Sequence, residues 1–227
     1  MLKMKVQLKN ISKSFNIGNQ KINVLSNVSI DIPSGSLISI RGESGTGKTT
    51  LLSVIGLLDL PDNDGGDILH DNKSIKKISK KEYSVKLREI GFVFQKFHLI
   101  ASLNVLNNVM LPLMIQRKTE YNEDYGIDLL KKVGIEHRAR HYPNEISGGE
   151  LQRVCIARAI ANKPKLILAD EPTGNLDSNN SENVIKLLHD LAVDEKATLI
   201  CVTHSEKVAS RFNKTIYMDQ INGLQPY

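Results

Sequence analysis

Short apolar runs along the chain alternate with stretches of helical spacing. Val28-Ser29-Ile30-Asp31-Ile32 repeats with period two, the pattern of a half-exposed antiparallel strand, and Pro33-Ser34-Gly35 behind it is a turn. Leu37-Ile38-Ser39-Ile40 reads as a buried strand, and Gly91-Phe92-Val93-Phe94 as another strand-like run. Leu166-Ile167-Leu168-Ala169 and Thr198-Leu199-Ile200-Cys201-Val202 are continuously apolar, which predicts central parallel strands covered on both faces. Between residues 96 and 162 strand-like runs give way to helical periodicity, with Val105, Val109, Leu113 and later Leu129, Leu130 and Val133 as its apolar positions. Pro61-Asp62-Asn63-Asp64-Gly65-Gly66 marks an exposed loop. The pattern predicts an α/β fold with a mainly parallel sheet, an antiparallel β part and an inserted α-helical subdomain.

With 227 residues the chain can bury one good-sized core. A single domain over 1–227 is expected, with 1–95 and 163–227 as its α/β core and 96–162 as the helical part. Its composition, 41% hydrophobic and 24% charged, argues against disorder and fibrous classes. The longest apolar stretch, Leu51-Leu52-Ser53-Val54-Ile55-Gly56-Leu57-Leu58, is too short for a bilayer span of about 20 residues. Met1-Leu2-Lys3-Met4-Lys5 lacks an apolar signal core, so the cytosol is the expected location. The chain ends soon after Asn222-Gly223, so no C-terminal regulatory domain is expected. Cys155 and Cys201 sit inside apolar patterns and read as packed free thiols, which leaves no disulfide or metal framework. The net charge of +5 is spread along the chain, and its one cluster, residues 73–81, reads as a solvated face. No nucleic-acid partner is expected.

Chemistry enters with Gly42-Glu43-Ser44-Gly45-Thr46-Gly47-Lys48-Thr49, which fits G-x-x-x-x-G-K-[ST] between the strand at 37–40 and a helix predicted over 50–58. Such a loop needs glycines because its backbone N–H groups must turn inward around phosphates. Lys48 supplies charge for the β- and γ-phosphates, Thr49 a hydroxyl for Mg²⁺, and Thr50 a further phosphate contact at the positive end of the helix. The loop predicts ATP or GTP binding and leaves the base open. Asp170 and Glu171 follow the strand at 166–169, where carboxylates face the crevice of an open α/β sheet. Asp170 would hold Mg²⁺ through its water shell, and Glu171 would polarise the attacking water as general base. His204 stands at the matching end of the next apolar run, in reach of a γ-phosphate. Gln95 offers an amide oxygen to Mg²⁺ or its water. Phe15 could offer an aromatic face for stacking on adenine, but taken alone it reads as a core residue.

Ile146-Ser147-Gly148-Gly149-Glu150-Leu151-Gln152-Arg153 opens a helix, with Ser147 as N-cap, Glu150 at capping-box spacing and two glycines baring the backbone. This is a second anion site, either for a nucleotide held by another chain or unrelated to the first. Taken in order, Phe15, the 42–49 loop, Gln95, Ser147-Gly148-Gly149-Glu150, Asp170-Glu171, Asn175-Leu176-Asp177 and His204 resemble the ATP-binding cassette superfamily over essentially the whole chain. The resemblance implies a P-loop NTPase core of the RecA-like kind that hydrolyses ATP with Mg²⁺. It implies a head-to-tail pair of copies, each ATP lying between the P-loop of one and the Ser147 region of the other, with Asp177 in communication across the interface. It also implies integral membrane permease subunits as partners, docked near residues 96–108 at the cytoplasmic face of the inner or plasma membrane. Gly91-Phe92-Val93-Phe94-Gln95 with Phe97-His98-Leu99-Ile100, then Asn108-Val109-Met110-Leu111-Pro112-Leu113 and Ala169-Asp170-Glu171-Pro172-Thr173-Gly174-Asn175-Leu176-Asp177-Ser178, resemble the lipoprotein-releasing and macrolide-exporting branch. A cassette that signals to cell-wall remodelling is the alternative, and a soluble cassette acting on ribosomes or DNA a third. Glu43, Ile146 and Glu150 depart from the common pattern without removing a group the chemistry needs.

Overall fold

A computed structural model describes residues 3–116 and 122–223; Met1 and Leu2 of the basic N-terminus lie outside them. The strands are β1 (Val6–Ile17), β2 (Gln20–Ile32), β3 (Leu37–Arg41), β4 (Asp67–His70), β5 (Lys73–Ser74), β6 (Ile90–Val93), β7 (Leu166–Asp170), β8 (Thr198–Thr203) and β9 (Lys214–Tyr217). The helices are α1 (Lys48–Ile55), α2 (Lys80–Arg88), α3 (Val105–Ile115), α4 (Glu123–Lys132), α5 (Gly148–Ile160), α6 (Ser178–Asp194), α7 (Glu206–Ala209) and α8 (Met218–Ile221).

The continuous apolar runs become the middle of a five-stranded parallel sheet of order β6-β7-β8-β3-β9, and a four-stranded antiparallel sheet of order β2-β1-β4-β5 lies beside it. Alternation along the central strands sorts their side chains between two cores. Leu166, Leu168, Ile200 and Val202 face α1 and the antiparallel sheet, packing with Leu51, Ile55, Ile11 and Ile68. Ile167, Ala169, Leu199 and Cys201 face the opposite way, toward α3, α5 and α6, packing with Val109, Ile156 and Leu188. Both faces of the sheet are therefore dry, which is why these runs carry no polar alternation.

The helices α3, α4 and α5 all fall within 96–162. The last of them also lies flat on β6: a Cβ at Gly91 would stand 2.2 Å from the Ala159 carbonyl oxygen. Buried Asn108 ties down the segment ahead of α3, accepting from the Ile100 N–H and donating to the Ile100, Leu103 and Asn104 carbonyls.

Several elements differ from the sequence expectation. The helix expected over 50–58 starts at Lys48 and ends before Gly56, a residue pressed against the Phe92 ring, and Leu57 turns the chain at φ 61°. The strand read over 28–32 is only the inner end of β2, whose outer half is exposed. In the loop at 61–66 only Asn63 and Asp64 are exposed, because Ser12 accepts from the Asp62 N–H and donates to the Gly65 carbonyl. Lys73, Lys76, Lys77, Lys80 and Lys81 are exposed. Among the described residues no helix is long and apolar enough to cross a membrane.

Candidate nucleotide-binding and catalytic site

The carboxyl ends of all five parallel strands open onto one cleft of about 950 Å³. Gly42, Glu43, Ser44, Gly45, Thr46, Gly47, Lys48, Thr49 and Thr50 line it together with Gln95, Glu171 and His204. Two residues of the loop, Gly45 and Gly47, have φ of 83° and 91°, a backbone that side-chain-bearing residues avoid. Gly47 is also the N-cap of α1 and makes no side-chain cap, so the helix's first N–H groups stay available to an anion. Lys48 folds back across the loop, its Nζ donating to the Gly42 carbonyl at 2.9 Å and the Glu43 carbonyl at 2.6 Å. Among the described residues the buried Lys48 ammonium is hydrogen-bonded only to neutral carbonyls, contacts it can exchange for phosphate oxygens.

Across the cleft, the Thr49 hydroxyl donates to Asp170 Oδ1 at 3.2 Å. Burial pushes the Asp170 carboxyl above its ordinary range and Glu171 adds to this, while Thr49 and Lys48 pull it back. A cation between Thr49 and Asp170 would relieve that cost. Among the described residues no cluster of three His, Cys, Asp or Glu side chains could hold a metal ion alone. A hydroxyl and one carboxylate fit Mg²⁺, which keeps several waters and takes other ligands from phosphates. Gln95 lines the same cleft, its side-chain Nε2 3.0 Å from where a Cβ on Gly174 would be, and its backbone carbonyl accepts from Asn175 Nδ2 at 3.0 Å.

Glu171 adopts a left-handed backbone at φ 43°, with its N–H donating to the Val202 carbonyl. Its side chain is 11% exposed and Oε1 lies 2.9 Å from His204 Nδ1. The carboxylate at the end of β7 and the imidazole at the end of β8 are thus already a pair.

The remaining predicted residues lie elsewhere. Ser147 caps α5 through a complete capping box with Glu150, whose Oε1 also accepts from Arg138 Nε at 2.7 Å. Hydrogen bonding from the Ser147 N–H, helped by Arg138, holds the Glu150 carboxyl at about 2 despite some burial. Added Cβ atoms at Gly148 and Gly149 would meet nothing closer than 3.9 and 3.5 Å, so this helix end is open. None of these four residues borders the cleft. Asp177 caps α6, accepting from the Asn180 N–H at 3.0 Å and from Asn180 Nδ2 at 2.6 Å. Phe15 does not line the cleft either: it pairs with Ile22 on the outer β1–β2 hairpin, 40% exposed, with Lys13 Nζ 5.2 Å from its ring centre. Four lining residues went unread in the sequence: Val24, Arg41, Tyr217 and Asp219. Only Arg41 had a signal, its place directly before Gly42.

A loop of P-loop pattern whose Thr49 meets a buried strand-end carboxylate, with a second, histidine-paired carboxylate beside it, defines a P-loop nucleoside triphosphatase. The family model of the ABC transporter matches residues 25–174. The lipoprotein-releasing system ATP-binding protein LolD of Francisella tularensis subsp. tularensis (strain FSC 198) is 43% identical over 213 residues, covering 91% of this chain and 90% of that protein. The same protein of Francisella tularensis subsp. holarctica (strain LVS) matches equally. Among solved structures, a dimeric post-hydrolysis state of the ATP-binding cassette MJ0796 bound to ADP and Pi superposes with a TM-score of 0.84 at 40% identity, covering 93% of each chain. The chain belongs to the ABC transporter family, whose members bind and hydrolyse ATP.

Proposed function

We propose that this chain is the ATP-hydrolysing subunit of a lipoprotein-release type transporter, working as a head-to-tail dimer beneath membrane permease subunits at the cytoplasmic face of the membrane. The observation that carries the pairing is the separation of two anion sites in one chain. The open N-terminus of α5 at Ser147, Gly148, Gly149 and Glu150 does not border the cleft that holds the P-loop. Its free N–H groups find a phosphate when a second copy presents its own cleft, with Asp177 leaving its cap on α6 to act at the interface. Residues 96–162 form the helical part that brings α5 to the partner. The names of the LolD relatives, at 43% identity, support lipoprotein release as the task.

In this reading Lys48 and the N–H groups of residues 45–50 hold the phosphates, and Phe15 stacks on adenine. Thr49, Asp170 and Gln95 would hold Mg²⁺, which would supply positive charge against that of the phosphates. Glu171 accepts the proton of the attacking water. A neutral His204 that donates from Nδ1 to Glu171 has only an acceptor left at Nε2. Contact with a γ-phosphate oxygen therefore requires a second ring proton or rotation away from Glu171. Rotation would free the carboxylate for water at the moment the nucleotide arrives.

The test is Glu171→Gln, assayed with the membrane partner and as the isolated chain. Removing a general base lowers turnover about 10²–10⁴-fold and leaves ATP binding intact. Phosphate release near the wild-type rate would rule out the base. Sedimentation of the variant with Mg-ATP should give a dimer; a monomer at saturating ATP would sink the pairing. For the substrate class, the complex purified from its own membranes should release lipoprotein from proteoliposomes in an ATP-dependent way. An active complex that releases none would point to the signalling cassette instead.

A further inference from the structure

The antiparallel ladder between β1 and β2 slips by one residue at its middle. Lys13 pairs with Leu25, but Ser14 pairs with Asn23, so Val24 is the extra residue of a β-bulge. A bulge residue leaves its carbonyl without a ladder partner, and a buried orphan carbonyl is costly. The chain supplies the missing partner from its far end. Asn222 Nδ2 donates to the Val24 carbonyl at 2.9 Å, and its Oδ1 accepts from the Ser26 N–H at 2.9 Å. The next residue continues the pairing, with the Gly223 N–H donating to the Ser26 carbonyl at 2.9 Å.

The same amide nitrogen reaches the P-loop, 3.5 Å from the Thr46 carbonyl. Val24 itself is pressed on that loop: a Cβ at Gly47 would lie 2.9 Å from the Val24 carbonyl oxygen and 3.0 Å from its Cγ1. Val24 is also the one β2 residue that lines the nucleotide cleft. Two residues further out, Ile22 pairs with Phe15 on the part of the hairpin beyond the bulge. One side chain thus joins the phosphate-binding loop, the bulge and the root of the arm that carries Phe15.

We propose that Asn222 is a positioning residue for nucleotide recognition, locking the Val24 bulge onto the P-loop and so setting the arm that brings Phe15 to the base. The proposal rests on the ATP-binding reading of the cleft. It concerns the base-dependent part of affinity, because the arm carries Phe15 whereas the phosphate contacts come from the loop and α1.

The experiment measures dissociation constants of Mg-ATP and of inorganic tripolyphosphate with magnesium, for the wild type and Asn222→Ala in the full chain. Freeing the arm should weaken ATP about tenfold, roughly the worth of one aromatic contact to the base. Tripolyphosphate, which has no base, should change by less than about twofold, the scatter of independent sites. Phe15→Ala should weaken ATP on its own, and adding Asn222→Ala to it should cost little more, because both act through one arm. Equal losses for the two ligands, unchanged ATP binding, full additivity with Phe15→Ala, or no effect of Phe15→Ala would each overturn the proposal. If Asn222→Ala does not fold, Asn222→Ser serves, since it stays neutral and polar but is too short to bridge Val24 and Ser26, and it is read with the same two ligands. A wild type that binds no ATP would overturn the reading of the cleft itself, and Asn222 with it. A wild type that binds ATP beside an unaffected variant would overturn Asn222 alone.

Discussion

Acid should destabilise this protein through one histidine that takes no part in catalysis. His70, on β4, is fully buried in the core under the antiparallel sheet, with Nε2 3.1 Å from the carbonyl of Ile55 at the end of α1. Its Nδ1 is buried and has no hydrogen-bond partner among the described residues. The ring is therefore a neutral donor to Ile55, and a second proton would place a charged N–H against apolar walls. Burial brings its pKa down to about 4, and nearby Lys86 adds to this. The bond to Ile55 and the carboxylates of Asp71 and Glu89 oppose it, both of them already engaged by Lys86. Because the unfolded chain takes up this proton near 6.5 and the folded chain only near 4, stability is fully present above 6.5. It is lost progressively as pH falls through that window. At 1.36 kcal/mol per pH unit the loss approaches about 3 kcal/mol, a large share of a typical 5–15 kcal/mol. The assay is guanidinium unfolding from pH 4 to pH 7, comparing wild type with His70→Gln, whose amide can keep the bond to Ile55 without titrating. Other ionisable groups are common to both proteins and cancel in the difference. The wild type should lose stability more steeply with acid than the variant; parallel curves would refute the reasoning.

Two further outcomes are expected from buried or capped groups. Glu150, held at about 2 by Ser147 and Arg138, contributes stability that is present above its ordinary 4.5 and lost as pH falls toward 2. Glu150→Gln should flatten the unfolding curve below pH 4.5, and an unchanged acid limb would contradict the capping geometry. Cys155 and Cys201 are both buried, and burial pushes the Cys155 thiol up to about 11 and Cys201 higher still. Neither should react with a thiol reagent at neutral pH until the protein is unfolded, so rapid labelling of either in the native state would show that its core is open.

What the sequence displays well is whatever is local. The runs at 166–169 and 198–202 predict central strands because both faces of the sheet are dry, and the loop at 42–49 announces itself because its whole pattern lies within one segment. The missed features depend on residues far apart in the chain. β9 has a single buried residue, Ile216, and is a strand only because β3 pairs with it. The outer half of β2 is polar, so no periodicity marks it, and the bulge at Val24 is defined by a register that exists only once β1 is in place. Asn222 gains its meaning from a partner 198 positions away. Glu171 is the most instructive case, because here local preference and position disagree. A left-handed backbone favours glycine, and holding another residue there costs about 1–3 kcal/mol. Glycine would relieve that cost and remove the carboxylate. The neighbouring strand holds the conformation instead, through the bond from the Glu171 N–H to the Val202 carbonyl, while the Gly174 N–H closes the following turn on the Glu171 carbonyl. Backbone strain at Glu171 is thus held in place by the sheet's own ladder, and it aims the carboxylate at His204, the contact that ring rotation would break to free the carboxylate for water.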